Sequence, residues 1–296
     1  MFTQQFVSAS TEIGTTQAQR CEETPNMAGA TNAVYASQQM LTHIDTGYEG
    51  KFDFPVRRQG PDLTYLLASV PRAGSTHCSH LLWRTGCLGA PLEYLNFEPA
   101  GPYGFAATSQ QLQLQLWRSV LSRRCSPNGV FGLKAFAPQL EQLQRKSPQL
   151  LDEVLAAMLP RGGPRRVVYV RRRDRTAQTV SYARASLSGI WRKEQESKVA
   201  QPLEYSTEAL DAAERGIALQ EAVWEQMFSE LKIEPLTVWH EDAVANGAAV
   251  AEAVANYLGV TIDASAVVQV PMIEKQSEGD SLAWAERYES SRGSVA

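Results

Sequence analysis

The sequence predicts an α/β protein in three layers, with helices covering both faces of a central, mostly parallel sheet. Three observations carry that expectation. Four short apolar runs, starting at Leu63, Val130, Arg166 and Leu236, have the length and content of buried strands. Stretches of helical spacing separate these runs, as the crossovers of a parallel sheet require. The first run leads straight through a short Gly/Ser turn into a helical pattern, giving a strand, loop and helix in succession.

Residues 1–60 are read as a flexible or loosely packed extension, because the first fifty are rich in Thr, Gln, Ser and Ala and lack a sustained period beyond a short pattern at Asn32–Leu41. Residues 61–296 are read as one domain. Its first strand, Leu63–Ala68, stops at Ser69-Val70-Pro71. A helix is expected over Ser75–Leu88, ended by Gly86 and Gly89, and a second over Ser109–Arg123. The strand Val130–Phe136 follows, then a helix over Pro148–Leu159 with Ser147 as N-cap and Pro148 in the first turn, where its missing N–H costs nothing. The third strand, Arg166–Val170, leads into a helical pair over Thr176–Leu231 broken near Gln201-Pro202. The fourth, Leu236–Trp239, precedes a helix at Ala245–Leu258 capped by Gly259, and Trp284 and Tyr288 stand at helical spacing in the tail.

Bulk properties narrow the function. A formal net charge of -4 and a pI near 5.7 leave no global basic field to draw the chain to nucleic acid or an anionic membrane, so any anion site is local. Cys21, Cys78, Cys87 and Cys125 show no C-x-x-C or other metal-ligand spacing, which favours a reduced, cytoplasmic setting and no metal. The chain has no run of about 18 apolar residues, so no integral membrane contact is expected.

Three constellations bear chemistry. In the turn Arg72-Ala73-Gly74-Ser75-Thr76, between a strand and a helix, backbone N–H groups, two hydroxyls and an arginine converge as a cradle for phosphate or sulfate, although the spacing is not that of nucleoside triphosphatases. The run Arg171-Arg172-Arg173-Asp174-Arg175 leaves the third strand on the same sheet edge, and Ser181 follows on the next helix, so Arg173 and Ser181 are candidates for a second phosphate. Glu93, in Gly89-Ala90-Pro91-Leu92-Glu93-Tyr94, is a lone acid in an apolar stretch and a candidate general base. Taken singly, each has an ordinary reading: a capping turn, a solvated charge run, a surface glutamate. His77 and His80 stand three apart on one helix without a third ligand nearby, and His77 is placed beside the nucleotide pocket instead.

Together and in this order, the three constellations resemble the bacterial trehalose 2-sulfotransferase-like family of PAPS-dependent sulfotransferases, where PAPS is 3′-phosphoadenosine 5′-phosphosulfate. The resemblance covers Leu63–Ser188 and, more faintly, Thr237–Arg287. It implies a sulfotransferase fold of the phosphate-loop nucleotide-binding type. Arg72, Ala73, Gly74, Ser75 and Thr76 look like the 5′-phosphosulfate loop, which usually reads R-[ST]-G-S-T, so Ala73 is a departure. Arg173 and Ser181 look like the 3′-phosphate clamp and Glu93 like the general base, with Arg72 stabilising charge on the leaving side. Phe131–Lys134, Trp191-Arg192, Glu241-Asp242, Lys275-Gln276 and Trp284 are similar to family positions without assigned chemistry.

The reaction so implied moves a sulfuryl group from PAPS to a hydroxyl of a carbohydrate, glycolipid or other small acceptor, leaving 3′-phosphoadenosine 5′-phosphate (PAP). The family includes dimers, so a homodimer is one expectation. An ATP-dependent small-molecule kinase with Asp242 at magnesium, and a non-catalytic nucleotide-binding protein of the same fold, remain open beside it.

Overall fold

In the computed structural model the described residues are 45–99, 101–191, 203–266, 268–272 and 280–293. The sheet has four strands: β1 (Leu63–Ser69), β2 (Val130–Phe136), β3 (Val167–Arg171) and β4 (Leu236–Trp239). Their order is β2-β1-β3-β4 and every pairing is parallel. The chain leaves β1 for β2 on one side and later crosses to β3 on the other, so the strand order reverses at β1. Crevices at the carboxyl ends of strands on either side of such a reversal are where open α/β sheets bind ligands.

Nine helices flank the sheet among the described residues: α1 (Ser75–Trp83), α2 (Gln110–Arg123), α3 (Ala137–Lys146), α4 (Pro148–Met158), α5 (Arg175–Ser188), α6 (Thr207–Leu231), α7 (His240–Ala245), α8 (Gly247–Leu258) and α9 (Ser281–Gly293). Alternation along the strands divides the core into two layers. Leu66 and Ala68 of β1, with Phe131, Leu133 and Tyr169, pack against α2, α3, α4 and α6. Tyr65 and Leu67, with Val168, Val170 and Val238, face Cys78 and Leu82 of α1 and Val250 and Val254 of α8. A smaller cluster seats Trp284 and Tyr288 of α9 on Val180 and Ala183 of α5 and Leu210 of α6. The three-layer α/β/α class expected from the sequence is the class observed.

Local differences have physical causes. Helix α1 ends at Trp83, five residues before Leu88, because Gly86 and Gly89 are spent on turns. Helix α3 follows β2 directly and was not read from the sequence. The helix expected over Ala245–Leu258 is observed from Gly247, where the Asn246 side chain accepts from Ala249 N at 3.0 Å and separates it from the short α7 that ends at Ala245. Ser147 stands at the N-cap of α4, but its hydroxyl donates to Gln113 Oε1 at 2.6 Å instead of capping.

Residues 45–60 place Tyr48, Phe52 and Phe54 in the core, ahead of the domain boundary expected at residue 61. Buried Arg124 holds them by pairing with Asp53 at 3.0 Å and donating to the carbonyls of Gly47 and Glu49. The pattern noted at Asn32–Leu41 and the break at Gln201-Pro202 lie outside the described residues. No helix among the described residues is long and apolar enough to cross a membrane.

Candidate active site

The site is built where β1 and β3 end side by side. Arg72 and Gly74 both take left-handed backbone, at φ 65° and φ 80°. That turn brings the start of α1 up against the strand ends, where the N–H groups of its first residues have no intrahelical acceptor and point outward. The Ala73 N–H is not among the donors, since it bonds Val70 O at 3.2 Å and the residue is buried. Gly74 is required by what covers it: a Cβ there would lie 2.7 Å from Cγ of the His240 imidazole.

Arg72 crosses to the neighbouring strand's helix. Its Nε donates to Ser181 Oγ on α5 at 2.7 Å, and Nη1 donates to Trp191 O at 3.1 Å. Gln178, buried on the same helix, donates to Pro71 O at 3.0 Å. The loop after β1 and the helix after β3 are thus one structure. The sequence assigned Ser181 to Arg173, whereas here it meets Arg72.

The basic run divides its charges. Arg171 and Arg175 turn to Glu221 on α6, and Arg171 also reaches Glu225 at 3.5 Å. Arg173, half exposed, makes a two-pronged pair with Asp242 at 2.7 and 2.9 Å and lies over the Trp239 ring. The N–H groups of Arg173 and Asp174 donate to Glu241 at 3.1 and 3.2 Å. Burial pushes the Glu241 carboxyl up, but these backbone hydrogen bonds and nearby His240 outweigh it and hold the group below its ordinary range. Asp242 is held low chiefly by its hydrogen bonds from Arg173. The carboxylate that a kinase reading would give to magnesium is therefore engaged with an arginine.

Glu93 is brought in from the opposite edge. Residues 88–95 run beside β2 through a parallel bridge between Leu92 and Leu133, and Lys134 N donates to Leu92 O at 3.1 Å. This approach needs Gly89, where a Cβ would sit 2.9 Å from Val130 O. Tyr48 Oη accepts from Glu93 N at 3.1 Å and fixes the turn. The Glu93 carboxylate then receives Lys134 Nζ at 2.8 Å on one oxygen, and Gln139 Nε2 at 3.2 Å and Asn96 Nδ2 at 3.3 Å on the other. Lys134 Nζ also donates to Thr76 Oγ1 at 3.0 Å. A continuous polar chain links the phosphate-type loop, Lys134 and Glu93.

The histidines take separate carbonyl partners. His77 Nε2 lies 3.4 Å from Ala243 O, edge-on to His240, and His80 Nδ1 lies 3.3 Å from Pro271 O. No group of three or more metal-type ligands exists among the described residues. Three site residues carry roles that the sequence did not assign: Lys134, Gln178 and His240. For Lys134 a signal existed, because a lysine inside an apolar parallel strand is out of place unless paired. Gln178 and His240 offered none.

The profile of the Stf0 sulphotransferase family matches residues 64–291. The chain belongs to that family. It is 29% identical over 252 residues to trehalose 2-sulfotransferase of Mycobacterium tuberculosis (strain ATCC 35801 / TMC 107 / Erdman), covering 76% of this chain and 93% of the relative. Trehalose 2-sulfotransferase of Mycolicibacterium smegmatis (strain ATCC 700084 / mc(2)155) is 26% identical over the same shares. Among solved structures, the sulfotransferase domain from the Synechococcus PCC 7002 olefin synthase superposes with a TM-score of 0.38 at 12% identity, covering 80% of this chain and 98% of that one. As a member of the Stf0 family the chain is a sulfotransferase, an enzyme.

Proposed function

We propose that this sulfotransferase takes its sulfuryl group from PAPS and delivers it to a carbohydrate hydroxyl, with the phosphosulfate on the Arg72–Thr76 turn and Glu93 as the base. The observation that carries the reading is the Arg72–Ser181 hydrogen bond at 2.7 Å, which joins the two elements proposed to bind anions at the point of strand-order reversal. A ligand with phosphates at both the 5′ and 3′ positions matches two such elements in a way that ATP does not. That both curated relatives carry trehalose in their names supports a sugar acceptor.

In this mechanism the residues align and neutralise more than they react, as for phosphoryl transfer. The N–H groups at the start of α1, the hydroxyls of Ser75 and Thr76 and the Arg72 guanidinium offset charge building on the leaving 5′-phosphate. The carboxylate of Glu93, oriented by Asn96 and Gln139, accepts the proton of the attacking hydroxyl. Arg173 and Ser181 receive the 3′-phosphate, with Arg173 exchanging Asp242 for it. The cytoplasm suits a chain whose described cysteines are free and buried.

The test is single-turnover transfer from PAPS to trehalose. Glu93→Gln should slow it about 10²–10⁴-fold while leaving PAP affinity within about twofold. Arg173→Ala and Ser181→Ala should each weaken PAP binding in calorimetry. A Glu93→Gln enzyme that kept its full rate would remove the base from this mechanism.

A further inference from the structure

Residues 45–54 lie ahead of the match to the Stf0 profile, which begins at residue 64, yet Tyr48 among them reaches Glu93. Tyr48 is 1% exposed, and its ring meets those of Tyr94 and Tyr103 edge-on, with centroids 6.3 and 5.6 Å away. It therefore grips two consecutive residues, Glu93 by its hydroxyl and Tyr94 by its ring. Tyr94 is in turn stacked on Phe131 of β2. The segment that carries Tyr48 is fastened on both sides of it. The Glu49 carboxylate accepts from the N–H groups of Thr46 and Gly47 at 2.9 and 2.8 Å, and Phe54 N donates to Arg123 O at 2.9 Å. Gly47, at φ 90°, runs so close to its neighbours that a Cβ would stand 3.2 Å from Pro271 and 3.3 Å from Trp83. Packing alone does not call for a hydroxyl here, since phenylalanine fills nearly the same space and a buried phenol oxygen is unfavourable unless hydrogen-bonded.

Resting on the role proposed above for Glu93, we propose that Tyr48 is a positioning residue for the transfer, and that residues 45–54 form a strap belonging to the active site. Lys134, Gln139 and Asn96 all act on the Glu93 oxygens. Held only by those side chains, the carboxylate would drift with its backbone, and its partners would follow it. Two hydrogen bonds prevent the drift: Lys134 N holds Leu92 O, one residue before, and Tyr48 Oη holds the N–H of Glu93 itself. The strap thus fixes where the base projects from, while the side chains fix how it is turned. No proton passes through the tyrosine. Its effect on the reaction runs through Glu93.

The test is a double-mutant cycle in single-turnover transfer from PAPS to trehalose, on the full chain, with Tyr48→Phe, Glu93→Gln and both. Tyr48→Phe should slow transfer about five- to tenfold, since a neutral hydrogen bond cannot hold the carboxylate more firmly than its own strength. PAP affinity in calorimetry should stay within about twofold. In the Glu93→Gln background the same change should slow transfer no further, because no base is left to position. Equal slowing in both backgrounds assigns Tyr48 a structural role and overturns the proposal, as does a Tyr48→Phe enzyme with the wild-type rate. Thermal denaturation checks the fold. If Tyr48→Phe does not fold, Glu49→Gln, which loosens the turn carrying the tyrosine and keeps its ring, goes through the same cycle with the same readings. A Glu93→Gln enzyme at full rate fails at the reading beneath and takes the role of the strap with it, a result seen without any change at Tyr48.

Discussion

Replacing Gly74 by alanine should damage stability and donor binding together, and the cause can be isolated. The residue sits at φ 80°, a conformation that costs an L-residue about 1–2 kcal/mol. Its Cβ would also stand 2.7 Å from His240 Cγ and 2.9 Å from Cε1, where carbon atoms prefer about 3.5 Å. Overpacking of this kind adds about 1–3 kcal/mol. The sum, about 2–5 kcal/mol, lowers the Tm of a domain this size by roughly 5–15 °C. His240 opens α7, whose next two residues hold the Arg173 turn, so displacing the ring should also weaken PAP binding by about tenfold or more. The assay is a double-mutant cycle, with thermal denaturation and PAP calorimetry on Gly74→Ala, His240→Ala and both. In the His240→Ala background the alanine at 74 should cost only its backbone strain, giving a coupling of about 1–3 kcal/mol. An equal cost in both backgrounds refutes the packing argument and leaves strain as the whole effect.

Further outcomes follow from the pairing of Arg173 and from the burial of the cysteines. Asp242→Asn should tighten PAP binding about two- to fivefold, because Arg173 then has no carboxylate to give up, and calorimetry would show the reverse if Asp242 instead positions the arginine for its ligand. The Asp242 carboxyl titrates below its ordinary range, so what the pair contributes is present above that range and is lost only as pH falls through the lowered value; lowering pH from 8 to 6 should leave the advantage of the variant unchanged. Burial pushes the Cys78 thiol up to about 12 and that of Cys125 up to about 11, so both should resist alkylation at pH 8 in the native protein and react once it unfolds, as mapped by mass spectrometry.

Much of the frame is legible because it depends on local pattern. The runs at β1, β2, β3 and β4 are apolar since both faces of a parallel sheet are covered, and the Gly/Ser turn follows β1 directly. Once parallel order is granted, Arg72 and Ser181 must lie on one edge. Helix α3 is not legible because it begins at the residue directly after a strand, and its Pro138 reads as a strand end as readily as a first turn. The contact of Glu93 with Lys134 depends on a bridge between Leu92 and Leu133, forty-one residues apart, which no local period encodes.

The arginine run shows why the remainder is not legible even in principle from spacing. Arg171, Arg173 and Arg175 share one charge and one neighbourhood in sequence, yet their partners come from α6, more than forty residues on, and from α7, nearly seventy on. Which arginine can meet a ligand is decided by which carboxylates are already there. Glu221, at the α6 face toward β3, takes Arg171 and Arg175 and fixes the strand to the helix. Glu241 and Asp242 take the backbone and side chain of Arg173, an arrangement with the fork geometry a phosphate would use. The first pairing is partly buried and cannot be exchanged without leaving charges stranded, whereas the second is half exposed and can be surrendered at small cost. Difference in burial, more than position in the motif, separates the arginines fixed to α6 from the one proposed to receive the donor.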